Sequence, residues 1–204
     1  MPPILSRLSP YLLWGLLAVP AAVMTGALAT GEDVIHGLLH PSGEFAARFM
    51  IIAMMATPLS MMFRGSRGPR WLIRNRRYFG VAAFGYAGLH TLFYLVDIGS
   101  VSKVLEQVSM IEIWTGWLAF VIFIPLAATS TDRMVRLLGR RWKTLQRWVY
   151  GAAVLTLCHW AALHDWGGVV PALVHFGPLA VLEAYRVILV RGHSRNNHMN
   201  VHRG

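Results

Sequence analysis

Charged residues fall in blocks along this chain, and long apolar stretches separate the blocks. Six stretches carry no Asp, Glu, Lys or Arg: residues 11–30, 49–63, 78–96, 113–131, 148–164 and 166–182. A helix needs about 20 mostly apolar residues to cross the hydrocarbon core, and roughly 17 at the least. The stretch 49–63 is short, but Phe45 to Ala47 extends it, and Arg48 and Arg64 can snorkel at its ends. Within lipid an unpaired backbone group costs several kcal/mol, so such runs must be helical. The pattern predicts an all-α polytopic membrane protein, a six-transmembrane-helix bundle. Arg7 and the small residues Ala27-Leu28-Ala29 bracket the first run much as a cleaved leader would. From Leu8 to Thr30, however, it exceeds the roughly 7–15 residues of a leader's apolar region, so a retained first helix is expected.

Orientation follows from the basic residues. Arg64, Arg67, Arg70, Arg74, Arg76 and Arg77 lie between the second and third runs, and Arg133, Arg136, Arg140, Arg141, Lys143 and Arg147 between the fourth and fifth. With Arg7 and the four arginines after the last run, 17 of the 19 Lys and Arg fall on one side of a six-span arrangement. That asymmetry predicts that both termini are cytoplasmic. Residues 1–190 are expected to form the membrane domain, and 191–204, with His193, His198 and His202, a polar cytoplasmic tail.

Composition agrees: 55% of residues are hydrophobic and 14% charged, against about 25% charged in soluble domains. The net charge of +10 is explained by membrane topology rather than by a nucleic-acid patch. The lone Cys158 excludes an intramolecular disulfide, and there is no CxxC pair. No catalytic triad, phosphate loop or dinucleotide fingerprint appears, which points away from a self-contained enzyme.

Two histidines change the picture. His90 and His159 lie twelve and eleven residues into runs that both head outward from the basic side, which sets both rings roughly 17–18 Å deep. Two neutral imidazoles at one level on two helices can supply both axial ligands of a heme iron. Ala83, Ala87, Phe93 and Tyr94 share the face of His90, and Ala152, Thr156 and Ala162 that of His159. The plain alternative is a pair of buried histidines bonded to neighbouring helices in a heme-free structural or transport protein. His164 is a reserve ligand, about 7.5 Å further out. No Cys, Asp or Glu stands at the level of the pair to complete a zinc site.

The stretches HPSGEFAARF (40–49), ATPL (56–59), IRNRRYFG (73–80), GLHTLFY (88–94), ATSTDRMVRLLGRRWKTL (128–145) and VYGAAVLTLCHW (149–160) together resemble one family. It is the heme-binding membrane subunit of the bacterial periplasmic methionine-sulfoxide reductase system, a ferric-reductase-like transmembrane protein. The resemblance implies a bundle holding heme b, with FMN in some members. Such a subunit passes electrons from a cytoplasmic flavin reductase or the quinol pool to a periplasmic molybdopterin-dependent catalytic subunit. It also maps the family's heme ligands onto His90 and His159, and a histidine of the outer loop onto His40. A related ferric or quinone reductase with another partner is the nearest alternative.

One family position departs. A histidine thirteen residues before His159 is replaced by Gln146, and the matching depth in the third run falls near Arg77. The expectation is one heme, with histidine ligation lost at the inner level. Arg74, Arg76, Arg77, Arg140 and Arg141 suit a flavin phosphate by charge, and they equally suit the positive-inside rule without any ligand.

Overall fold

The computed structural model describes the backbone of residues 3–28 and 34–201 and the side chains of residues 10–28, 34–163 and 165–191. The His164 side chain and the tail histidines His193, His198 and His202 lie outside the described residues. In chain order the helices are α1 (Pro3–Ala27), α2 (Val34–Met62), α3 (Arg67–Ile98), α4 (Val101–Gln107), α5 (Ile111–Ala128), α6 (Asp132–Leu138), α7 (Arg140–Gln146), α8 (Val149–Trp166) and α9 (Val169–Val201). No strand occurs among the described residues. The chain is an all-α, multi-pass membrane protein: α1, α2, α3, α5 and α9 are long and apolar enough to cross a membrane. The helix α8 is not in that set, since it carries two histidines and Asp165. It packs between α5 and α9.

Two antiparallel pairs make the centre of the bundle. The turn Phe63–Ser66, with Gly65 at φ 86°, folds α3 back along α2. The α5–α8 pair is closed by α6 and α7, which meet at Gly139 (φ 50°, ψ −120°), a conformation that suits glycine. The pairs meet where α3 touches α5, while α9 leans on α2 and α8, and α1 lies at the edge against α3. The interior uses small residues, with Ala83, Ala152 and Ala172 fully buried, which lets helix backbones approach closely. Aliphatic residues such as Leu12, Val121, Val154 and Ile188 are exposed on the outside, as a lipid-facing surface requires.

Two features differ from what the pattern of charges predicts. Helix α2 does not begin near residue 45 but runs from Val34, so His40 sits inside a helix rather than in a loop. The physical reason is that Glu44 and Arg48, which seem to mark the edge of the span, pair one turn apart at 2.5 Å and extend the helix. The second feature ties α1 to α3. The Tyr86 hydroxyl donates to the Leu17 carbonyl and accepts the Ala21 N–H, both at 2.8 Å. It replaces the bond α1 would make with itself beside Pro20, where the helix ladder already lacks a donor.

Candidate cofactor site

The antiparallel pairs bring His90 of α3 and His159 of α8 together at the centre of the bundle. Their ring centroids are 6.0 Å apart and the planes cross at 77°. In each ring Nδ1 is bonded to a backbone carbonyl of a neighbouring helix. His90 Nδ1 donates to Leu39 O of α2 at 2.9 Å, and His159 Nδ1 donates to Glu112 O of α5. A carbonyl only accepts, so both bonds place a proton on Nδ1, and in the neutral ring the lone pair is then on Nε2. Neither Nε2 has a hydrogen-bond partner among the described residues, and both rings line one recess.

That recess encloses about 950 Å³ of space unfilled by protein atoms, part of it open to the exterior of the bundle. Its wall is mostly apolar: Ala46, Ala47 and Met50 from α2, Ala87 and Tyr94 from α3, Ala119, Phe120 and Phe123 from α5. Of the residues expected around the histidines, Ala87, Tyr94 and Thr156 line it, whereas Ala83, Phe93, Ala152 and Ala162 are packed in the core. The contribution of α5 is not visible in the sequence, because its lining residues, Gly116, Ala119, Phe120 and Phe123 among them, carry no titratable group.

A metal–nitrogen bond of about 2 Å on each side, with the ring radius added at both ends, gives a centroid separation of about 6 Å between two axial imidazoles. The observed spacing fits that value. Among the described residues no third His, Cys, Asp or Glu joins the pair in a metal-binding group. Two opposed imidazoles therefore suit an iron whose remaining ligands come from a macrocycle. The wall of small and aromatic residues suits its flat apolar body.

A polar cluster borders the recess. Glu44 lines it and bonds Arg48, while His175 of α9 lies 3.4 Å from Glu44 and 3.3 Å from Arg48 Nε. Trp160 stacks on His175 at 4.7 Å and meets the His40 ring edge-on at 6.1 Å. His40 thus stands on the rim of the recess, apart from the opposed pair. Arg48 is held within this cluster rather than only snorkelling outward.

The inner level is built differently. Gln146 ends α7, and its Nε2 donates to Leu126 O at 3.0 Å and Thr129 Oγ1 at 3.3 Å. Trp142 Nε1 donates to Thr129 O at 2.9 Å. These groups satisfy carbonyls that the last turn of α5 leaves without helical partners. Arg77 pairs with Asp132 at 2.5 Å and reaches Ser130 O. The guanidinium holds the Asp132 carboxyl below its ordinary pKa, by hydrogen bond first and charge second. A second, shallower recess beside them is lined by Arg76, Arg77 and Arg136 with Trp142. Arg74, Arg140 and Arg141 do not line it.

Known proteins resemble this chain over most of its length. Residues 42–157 match the family described as the ferric reductase like transmembrane component. The protein-methionine-sulfoxide reductase heme-binding subunit MsrQ of Ralstonia nicotianae is 35% identical, over 92% of this chain and 88% of its own length. Its counterpart in Brucella anthropi is 34% identical, over 91% of this chain and 84% of its own. That of Xanthomonas euvesicatoria is 35% identical, over 79% and 73%. No solved structure matches.

Proposed function

The chain belongs to the ferric-reductase-like transmembrane family, in the group of protein-methionine-sulfoxide reductase heme-binding subunits, and from that membership we propose that it is a b-type cytochrome that relays electrons. One observation carries the reading: two imidazoles, each bonded through Nδ1 to a backbone carbonyl, stand 6.0 Å apart on one apolar recess, with no hydrogen-bond partner at Nε2 among the described residues. His90 and His159 are the axial ligands. When bound, heme supplies a one-electron iron couple. The chain's own residues would hold each imidazole by a carbonyl at Nδ1, line the site with apolar side chains and set it between α2, α3, α5 and α8.

The subunit spans the bacterial inner membrane six times, with α8 as the least apolar span and both termini in the cytoplasm. Residues 1–190 are the membrane domain and 191–204 a cytoplasmic tail. Its acceptor is a periplasmic molybdopterin-dependent catalytic subunit that reduces methionine sulfoxide in proteins. Its donor is quinol or a cytoplasmic flavin reductase, and an FMN phosphate at the arginine-rich end would meet Arg76 and Arg136, since Arg77 in the same recess is paired with Asp132. Because Gln146 and Arg77 are bonded within the protein, the chain holds one heme.

A reduced-minus-oxidised spectrum of detergent-purified protein tests this. A b-type difference spectrum is expected in the wild type, and its loss in His90→Ala and His159→Ala. A wild type without heme absorbance, or variants with unchanged heme content, would overturn the reading.

A further inference from the structure

We infer that Ser42-Gly43 on α2 and Thr115-Gly116 on α5 are a matched pair of seats that fix the tautomer and ring plane of His90 and His159 and hold the two planes crossed. The inference rests on the proposed heme ligation and adds four positioning residues to it.

The two seats repeat one construction. Leu39, which accepts from His90, lies one helical turn before Gly43, and Glu112, which accepts from His159, lies one turn before Gly116. In a helix each of those carbonyls already takes the N–H of the glycine four residues on. The imidazole N–H uses the second lone pair and must approach over the glycine. A Cβ at Gly43 would come within 3.1 Å of His90 Nδ1, and one at Gly116 within 2.8 Å of His159 Nδ1. Both glycines are required by close approach, not by an unusual φ. The other six glycines of α2, α3, α5 and α8 have no neighbour within 4 Å of such a Cβ.

The residue before each glycine carries a buried hydroxyl turned back on its own helix. Ser42 Oγ donates towards Leu38 O and Leu39 O, at 2.7 and 2.8 Å, and also lies 3.3 Å from His90 Nδ1, a contact Thr115 does not make with His159. Thr115 Oγ1 donates towards Ile111 O and Glu112 O, at 2.5 and 3.4 Å. Ser42 is 0% and Thr115 2% exposed. Each hydroxyl is thereby occupied beside the carbonyl that receives the imidazole.

Two consequences follow. A carbonyl accepting from Nδ1–H makes the imidazole a stronger donor to iron, which favours the ferric state and lowers the reduction potential. A crossing angle of 77° between axial planes keeps the two π-bonding d orbitals of a low-spin ferric iron nearly degenerate. Such an iron gives a strongly anisotropic paramagnetic resonance signal, whereas parallel planes give a rhombic one.

The test is low-temperature resonance and redox titration of detergent-purified holoprotein. The wild type is expected to show the strongly anisotropic signal. Gly116→Ala and Gly43→Ala are expected to change that signal and raise the midpoint potential, Gly116→Ala more. Gly85→Ala and Gly151→Ala, in the same bundle but with open space at Cβ, are expected to leave both unchanged. Should Gly116→Ala not fold, the milder Gly43→Ala decides. A rhombic wild-type signal, or wild-type signal and potential in both seat variants, would overturn the seats while leaving the ligands standing. A wild type without heme would instead remove the parent proposal.

Discussion

The outer and inner levels of this bundle lie thirteen residues apart on the α3 side and again before His159, yet they are built to opposite ends. At the outer level each histidine of the pair is half used: Nδ1 is tied to a carbonyl, and Nε2 has no hydrogen-bond partner among the described residues. At the inner level the side chains are spent on the protein itself. Gln146 and Trp142 serve the open carbonyls of α5, and Arg77 serves Asp132 and Ser130. The difference teaches that a ligand site inside a membrane bundle depends less on the presence of polar residues than on what the fold leaves of their bonding capacity.

The largest effect that can break this contrast lies at the outer level. Added imidazole is expected to restore heme to His159→Ala, because the recess, the opposed His90 and the Gly116 approach all remain. Heme content of the variant purified with and without imidazole checks this, and no recovery would argue for a structural histidine. A smaller effect belongs to the inner level. Gln146→Ala removes one donor from the Leu126 carbonyl, which keeps the Ser130 hydroxyl, and is expected to lower stability by about 1 kcal/mol, with heme per chain unchanged. Denaturant titration in detergent, with absorbance read in parallel, separates the two.

The Arg77–Asp132 pair gives the smallest change. The Asp132 carboxyl titrates below its ordinary value of 3.8 in the folded protein. Its contribution is therefore fully present above that value and lost as pH falls through the lower folded pKa. The pair is exposed, so the loss is small and salt-screened. Unfolding midpoints compared between pH ~5 and pH ~3 are expected to fall less in Asp132→Asn than in the wild type. No effect at all on heme is expected from Gln146→His, since the matching position of α3 is Arg77, bonded to Asp132, and supplies no second ligand.

Much of this was legible in the residues. The charge-free runs locate the long helices because lipid tolerates neither open backbone nor unpaired charge. The equal depths of His90 and His159 foretell their meeting, because both helices start from one basic boundary. The outer end of α2 is hidden because Glu44 and Arg48 cancel each other one turn apart, so a charge count stops where the helix continues. The glycine seats were not legible either. Ser-Gly and Thr-Gly are common pairs, and only the rotation of α2 against α3 and of α5 against α8 turns Gly43 and Gly116 towards the rings. Gln146 stood out as a departure from the family, but its task required knowing where α5 ends. The interruption between α7 and α8 also lies outside any reading of apolar runs.

The heme-to-chain ratio of the purified wild-type protein, measured by extracted-heme absorbance against amino-acid analysis, tests the contrast between the levels most directly. One heme per chain, lost with either His90 or His159, is the expected result. Two hemes per chain, or one that survives both substitutions, would contradict it.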